Sequence, residues 1–175
     1  PEIIQDIASF EKIVSKQQKV IETIIAYNSL TVRYQHRYMY SDDYRHRNDL
    51  QNSIKELKEL YAMERTQTPS KQRVWQIPVC YDVQFGIDLK EIALKKELSV
   101  EEVIEMHSTT RYFIYFLGFQ PGFLYLGGLK SKLHTPRRST PRLRVEKGSV
   151  AIGGEQTGVY PQGSAGGWNI IGKSP

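Results

Sequence analysis

Leu117-Gly118-Phe119-Gln120-Pro121-Gly122-Phe123-Leu124-Tyr125-Leu126-Gly127-Gly128-Leu129 decides the reading of the second half of this 175-residue chain. Phe119, Phe123 and Tyr125 alternate with small residues around a Pro-Gly turn, and no helical period survives. Short apolar runs flank the stretch, Tyr112 to Leu117 before it and Ser149 to Ile152 and Trp168 to Ile171 after it. Glycine and proline separate them, the pattern of a compact barrel or sandwich with tight loops. Glycines crowd from Gly118 to Gly172, which implies positive φ or close approach by a ligand or strand. The quoted stretch suits an aromatic-stapled loop between two strands and equally the wall of a pocket. It is not a phosphate-binding Walker loop, because no Gly-Lys-Ser/Thr follows at the required spacing.

Upstream the period changes. Val74 to Tyr81 reads as a strand. Asp88-Leu89-Lys90-Glu91 and Ser99-Val100-Glu101-Glu102 each place a capping acceptor three residues before a Glu, which predicts two short helices. Further back, Ile3, Ile7, Phe10 and Val14 fall on one helical face, and Val20 to Ala26 and Leu30 to Tyr34 form two strands about a turn at Tyr27-Asn28-Ser29. Ser41 and Asp42 are N-cap types before a second helix carrying Leu50, Ile54, Leu57 and Tyr61. Thr66 to Arg73, with Pro69, reads as a linker. The expected organisation is a small α+β domain over 1–72, both helices on one sheet face, followed by a mainly β domain over 73–175.

Composition narrows the class. Hydrophobic residues make up 39% and charged residues 25% of the chain, ordinary for a globular protein. No apolar run nears the roughly 20 residues that span a bilayer, and no secretory signal is visible. Cys80 is the only cysteine, so no internal disulfide can form; a reducing cytoplasm and a buried structural thiol are expected. The net charge of +5 is spread over groups that interleave acids in the first half, without a nucleic-acid-binding motif. Neither nucleic acid nor a membrane is expected as a partner.

Three groups of residues can carry chemistry. His107 completes an apolar stripe with Val100, Val103 and Ile104; it suits a core or capping histidine, and also a ligand contact or proton carrier. Pro136-Arg137-Arg138-Ser139-Thr140-Pro141-Arg142-Leu143-Arg144 stiffens its backbone with two prolines, so its guanidinium groups are held for carboxylate or phosphate. Arg137 and Arg142, each directly after a proline, are the favoured pair. Gln156, Thr157, Tyr160 and Ser164 offer neutral hydrogen-bonding groups, and Trp168 a flat wall, which together suit an amide or lactam. β-Turns with side-chain hydrogen bonds would use the same residues. No metal-ligand cluster, nucleophile elbow or close carboxylate pair accompanies them, so no self-sufficient catalytic apparatus is apparent.

In order along the chain, these tracts resemble the KipI/allophanate hydrolase subunit 1 family. The matching pieces are Ile77-Pro78-Val79-Cys80-Tyr81, Phe85-Gly86-x-Asp88-Leu89, Val103-Ile104-x-x-His107-Ser108 and Tyr115-Phe116-Leu117-Gly118-Phe119-x-Pro121-Gly122-Phe123-x-Tyr125-Leu126. They continue through Pro136-Arg137-Arg138, Pro141-Arg142, Gly148-Ser149-Val150-Ala151-Ile152, Gln156-Thr157-Gly158-Val159-Tyr160-Pro161 and Gly166-Gly167-Trp168-x-Ile170-Ile171-Gly172. The resemblance implies a cyclophilin-like β-barrel after a small α+β domain. It also implies a second subunit of related barrel fold and a lactam-utilisation protein as partners. Together these form an ATP-dependent 5-oxoprolinase that opens 5-oxo-L-proline to L-glutamate.

Two other roles occur among such proteins: inhibition of a sensor histidine kinase, and the carboxyltransferase part of a urea-degrading, allophanate hydrolase-type system. The last needs a biotin carrier, and this chain has no Ala-Met-Lys-Met sequence. The expected ligand cleft is lined by His107 as proton carrier and by Arg137, Arg142, Gln156, Tyr160 and Trp168 as substrate-binding groups, with no metal. The chain departs from the family pattern at Val145-Glu146-Lys147-Gly148-Ser149, where relatives often have Val-Pro-x-Gly-Ser. Ala165 stands for a usual proline, Gly153 for a common alanine and Lys173 for a common arginine. The resemblance also leads one to expect a further strand before Pro1 and further barrel strands after Pro175.

Overall fold

An amphipathic segment from Glu2 to Val14 opens the computed structural model, which describes residues 2–35, 45–63 and 73–175. The chain divides into two compact units, residues 2–72 and 73–175. In the first, helix α1 (Glu2–Val14) buries Ile4 and Val14. It packs on an antiparallel hairpin of β1 (Val20–Ile25) and β2 (Leu30–Tyr34), and on helix α2 (Arg45–Ala62). Thr23 Oγ1 donates to Glu11 Oε1 at 2.7 Å, and Tyr61 Oη to Asp6 Oδ2 at 2.8 Å. The Phe10 and Tyr61 rings meet edge to face at 5.1 Å, stapling α1 to α2. Ser41, Asp42 and the linker from Thr66 to Gln72 lie outside the described residues.

The second unit is helix and sheet together. Helices α3 (Leu89–Lys95) and α4 (Val100–Ser108) precede seven short strands: β3 (Phe113–Leu117), β4 (Leu124–Gly127), β5 (Arg142–Val145), β6 (Ser149–Gly153), β7 (Gln156–Val159), β8 (Ser164–Gly166) and β9 (Asn169–Lys173). A 3₁₀ turn, Ser131–Leu133, lies between β4 and β5. Five strands form one antiparallel sheet in the order β3-β4-β7-β6-β9, and β5 pairs with β8 in a separate ribbon. Among the described residues, then, the strands make open sheets with β3 and β9 as edges, where a closed barrel was expected.

Side-chain alternation builds a core on each face of that sheet. Val150, Ile152 and Ile171 point toward Leu89, Ile92 and Ala93 of α3 and Val103 of α4. Their neighbours Ala151 and Ile170 point the other way, into Phe123, Val145, Tyr160 and Trp168. Burial on both faces makes β6 apolar throughout.

Four local expectations change or sharpen. Ser99 caps α4 with a complete capping box: its hydroxyl accepts from the Glu102 amide at 3.0 Å, and the Glu102 carboxylate accepts from the Ser99 amide at 2.7 Å. Asp88 precedes α3 but makes no side-chain cap, because its carboxylate is drawn elsewhere. Val74 to Tyr81 is not a strand: it touches the sheet through one bridge, Cys80 to Lys173, and leaves Trp75 72% exposed. Cys80 is accordingly exposed rather than buried, its thiol 3.7 Å from Asp82 Oδ2.

Candidate functional site

Two buried polar assemblies organise the second unit. One is centred on Asp88, which is only 3% exposed. Its Oδ1 accepts from Arg142 Nη2 at 2.6 Å and from Arg138 Nη1 at 3.2 Å. Its Oδ2 accepts from the Ile170 amide at 2.7 Å, while the Asp88 amide donates back to the Ile170 carbonyl at 2.9 Å. That reciprocal pair ties the start of α3 to β9 and fixes the carboxylate against the arginine loop. A carboxylate this buried is tolerable because both oxygens are engaged and a cation is present.

Beside it, the Arg137 guanidinium lies 5.7 Å from the Trp168 ring centre, a cation–π arrangement. Trp168 and Tyr160 are themselves buried, within an aromatic group that includes Phe123 and Tyr125. Burial pushes the Tyr160 phenol up, opposed by a backbone hydrogen bond from Trp168 and by the nearby positive charges of Arg137 and Arg142. Two glycines make room for these rings. A Cβ at Gly153 would lie 2.5 Å from the Trp168 indole, and one at Gly166 would lie 2.4 Å from Tyr160 Oη. Phe119 edges onto Phe123 and Tyr160, with φ at 64° in the left-handed region that bulky side chains avoid.

The other assembly is centred on His107, at the end of α4 and 5% exposed. Nδ1 lies 2.7 Å from Tyr81 Oη, and Nε2 lies 2.8 Å from Thr157 Oγ1. Thr157 donates its single hydroxyl hydrogen to the Ala151 carbonyl at 3.0 Å. It can therefore only accept from His107, which puts the ring hydrogen on Nε2 and makes Nδ1 the acceptor of the Tyr81 hydroxyl. Desolvation lowers the His107 pKa to about 4 and pushes that of Tyr81 up to about 12. Neutral His107 thus joins α4 to β7, with Tyr112 donating to its carbonyl at 2.8 Å.

The structure brings together Arg137, Arg142, Tyr160 and Trp168. It does not bring His107 or Gln156 to them: no hydrogen bond or ring contact among the described residues links either to the arginines. Gln156 opens β7 opposite Gly153. Tyr160 and Trp168 lie beneath the surface, whereas Arg137 is exposed, so the aromatic pair shapes the site from below. Asp88 and Arg138 are the residues that sequence reasoning passed over for this site. Asp88 resembled a helix cap, and only its paired position with Glu91 was legible.

A family model of the carboxyltransferase domain, subdomain C and D, matches residues 1–175. The chain belongs to this family. Among the relatives of this carboxyltransferase-family chain is a 5-oxoprolinase subunit of Bacillus subtilis (strain 168), 42% identical over 167 residues, covering 89% of this chain and 65% of the relative. A like-named 5-oxoprolinase subunit from Haemophilus influenzae is 40% identical over 164 residues, covering 94% of this chain and 72% of its own length. A conserved uncharacterized protein from Pyrococcus horikoshii superposes with a TM-score of 0.57 at 38% identity, covering 99% of this chain and 74% of that one. The K. lactis urea amidolyase shares the fold alone, with a TM-score of 0.71 at 15% identity over 98% of this chain and 12% of that chain. This family member thus spans about two thirds of the length of the two 5-oxoprolinase subunits it matches.

Proposed function

We propose that the chain is a subunit of a 5-oxoprolinase complex, which opens 5-oxo-L-proline to L-glutamate with hydrolysis of ATP. The observation that carries this reading is the 42% identity to a protein named as a 5-oxoprolinase subunit, over most of this chain. The arrangement of the site is consistent with it. An unstrained five-membered lactam resists water, and ATP supplies the activation of its carbonyl oxygen. Held guanidinium groups suit both the carboxylate of the lactam and the phosphates of ATP.

In this reading Arg142 faces the anion, while Arg137 is held on the Trp168 face and Trp168 and Tyr160 support the arginine loop from beneath. His107 holds β7 in place. To carry a proton it must first release Tyr81 or Thr157, so its role is to position rather than to react. The chain acts with a second subunit of related fold and a lactam-utilisation protein, in the cytoplasm. The cyclophilin-like barrel belongs to the same proposal, with β3 and β9 the edges at which such a barrel would close.

Copurification of the chain with those two partners, followed by an assay of ATP-dependent glutamate formation from 5-oxoproline, tests the reading. Activity is expected to require all three proteins. Undiminished activity without this chain would refute it.

A further inference from the structure

We propose that Arg138 and Arg142 form an anion seat built on Asp88, which takes a carboxylate or a phosphate group. The charge balance carries the argument. Two guanidinium groups share one oxygen of one carboxylate, Arg142 at 2.6 Å and Arg138 at 3.2 Å. The next acid, Glu91, lies 3.8 Å from Arg138 but only 2.6 Å from Lys95, so it is committed to the lysine. One positive charge is therefore left over in a partly desolvated place, where a counter-ion counts for more than at the open surface.

Donor geometry points the same way. Each fork uses a single nitrogen on Asp88, Nη1 of Arg138 and Nη2 of Arg142. Arg138 Nε and Arg142 Nη1 are buried and reached by no protein acceptor among the described residues. An unpaired buried donor is costly, and a charged one more so. The two side chains retain 31% and 23% of their exposure, so the pair sits at the margin of the folded unit rather than sealed inside it. Asp88 is the positioning residue: with Oδ2 fixed by the Ile170 amide, Oδ1 is presented to both arginines at once. Arg137 is not part of the seat, because it is turned onto the Trp168 face.

Binding of an anion here does not depend on the oxoprolinase reading; only the anion's identity rests on it. The test is calorimetric titration of the chain at low ionic strength with 5-oxo-L-proline and, separately, with inorganic phosphate. Binding of at least one is expected, weakening as sodium chloride is raised. Binding of 5-oxoproline alone assigns the seat to the lactam carboxylate, phosphate alone assigns it to a phosphoryl group, and competition between them assigns a seat that either fills.

Arg138→Lys and Arg142→Lys keep the charge and remove the fork, so each should weaken the bound probe about tenfold or more. Asp88→Asn keeps an acceptor for the Ile170 amide and removes the competing charge, so it should bind the same probe severalfold more tightly. If neither probe binds the wild-type chain, or either lysine variant binds as tightly as wild type, the seat is wrong. ATP-dependent lactam opening by a complex whose lysine variants bind normally would remove the seat and leave the proposed function standing.

Discussion

Acid should destabilise the second unit through His107, and the size of the effect follows from its surroundings. In the folded chain the ring is neutral, closed in by Tyr81, Tyr112 and Thr157, with its pKa held near 4 against an ordinary 6.5. A base whose folded pKa is depressed lends stability that is complete above the unfolded pKa. That stability is lost as pH falls from 6.5 toward 4, because over this range only the unfolded chain takes up the proton. At about 1.36 kcal/mol per pH unit, the loss reaches about 2 kcal/mol at pH 5 and about 3 kcal/mol at full extent. The assay is urea unfolding at pH 8, 7, 6 and 5, followed by tryptophan fluorescence. Both tryptophans, Trp75 and Trp168, lie in the 73–175 unit, so the signal reports on that unit. His107→Gln keeps an amide donor for Thr157 and an acceptor for Tyr81 without titrating. It should flatten the dependence between pH 7 and pH 5, a window in which most carboxylates stay ionised. Equal slopes in wild type and variant would refute the reasoning.

Thr157→Val conserves volume but strips the acceptor from His107 Nε2 and the donor from the Ala151 carbonyl. It should cost about 2–4 kcal/mol in chemical denaturation, far more than an exposed Thr→Val change. Gly153→Ala would force the Trp168 indole aside, costing about 1–3 kcal/mol and red-shifting the Trp168 emission. Combined with Trp168→Phe it should be less than additive, and strict additivity in a double-mutant cycle would argue against the clash. Ser99→Ala removes half of the α4 capping box and should lower stability by about 1 kcal/mol, read as a shift in the urea midpoint at unchanged slope.

What the sequence made legible was what local chemistry decides. Periodicity located α1 and the β1–β2 hairpin, and an acceptor three residues before a glutamate located the start of α4. The same pattern at Asp88 and Glu91 also marks a helix start, yet the capping bond is absent. Glu91 is held by Lys95 one turn on, and Asp88 by arginines 50 and 54 residues away. Nothing within a local window distinguishes the two cases. Val74 to Tyr81 failed as a strand for a related reason: β-rich composition describes a side chain's preference, while a strand also needs a neighbour. Only Cys80 finds one, in Lys173, 93 positions along the sequence.

The arginine loop shows how the same limit bears on function. A rule based on backbone stiffness favours Arg137 and Arg142, the residues that follow prolines, and it treats Arg138 as an ordinary neighbour. Backbone stiffness says where a side chain starts, not what it meets. Arg137 meets the face of Trp168, which Gly153 leaves room for, and Arg138 meets Asp88, which the Ile170 amide holds in place. Both partners come from distant parts of the sequence or the fold, Trp168 from just before β9 and Asp88 from just before α3. Arg138 and Arg142 thereby share one carboxylate with one charge to spare, and that excess directs an anion to them rather than to Arg137.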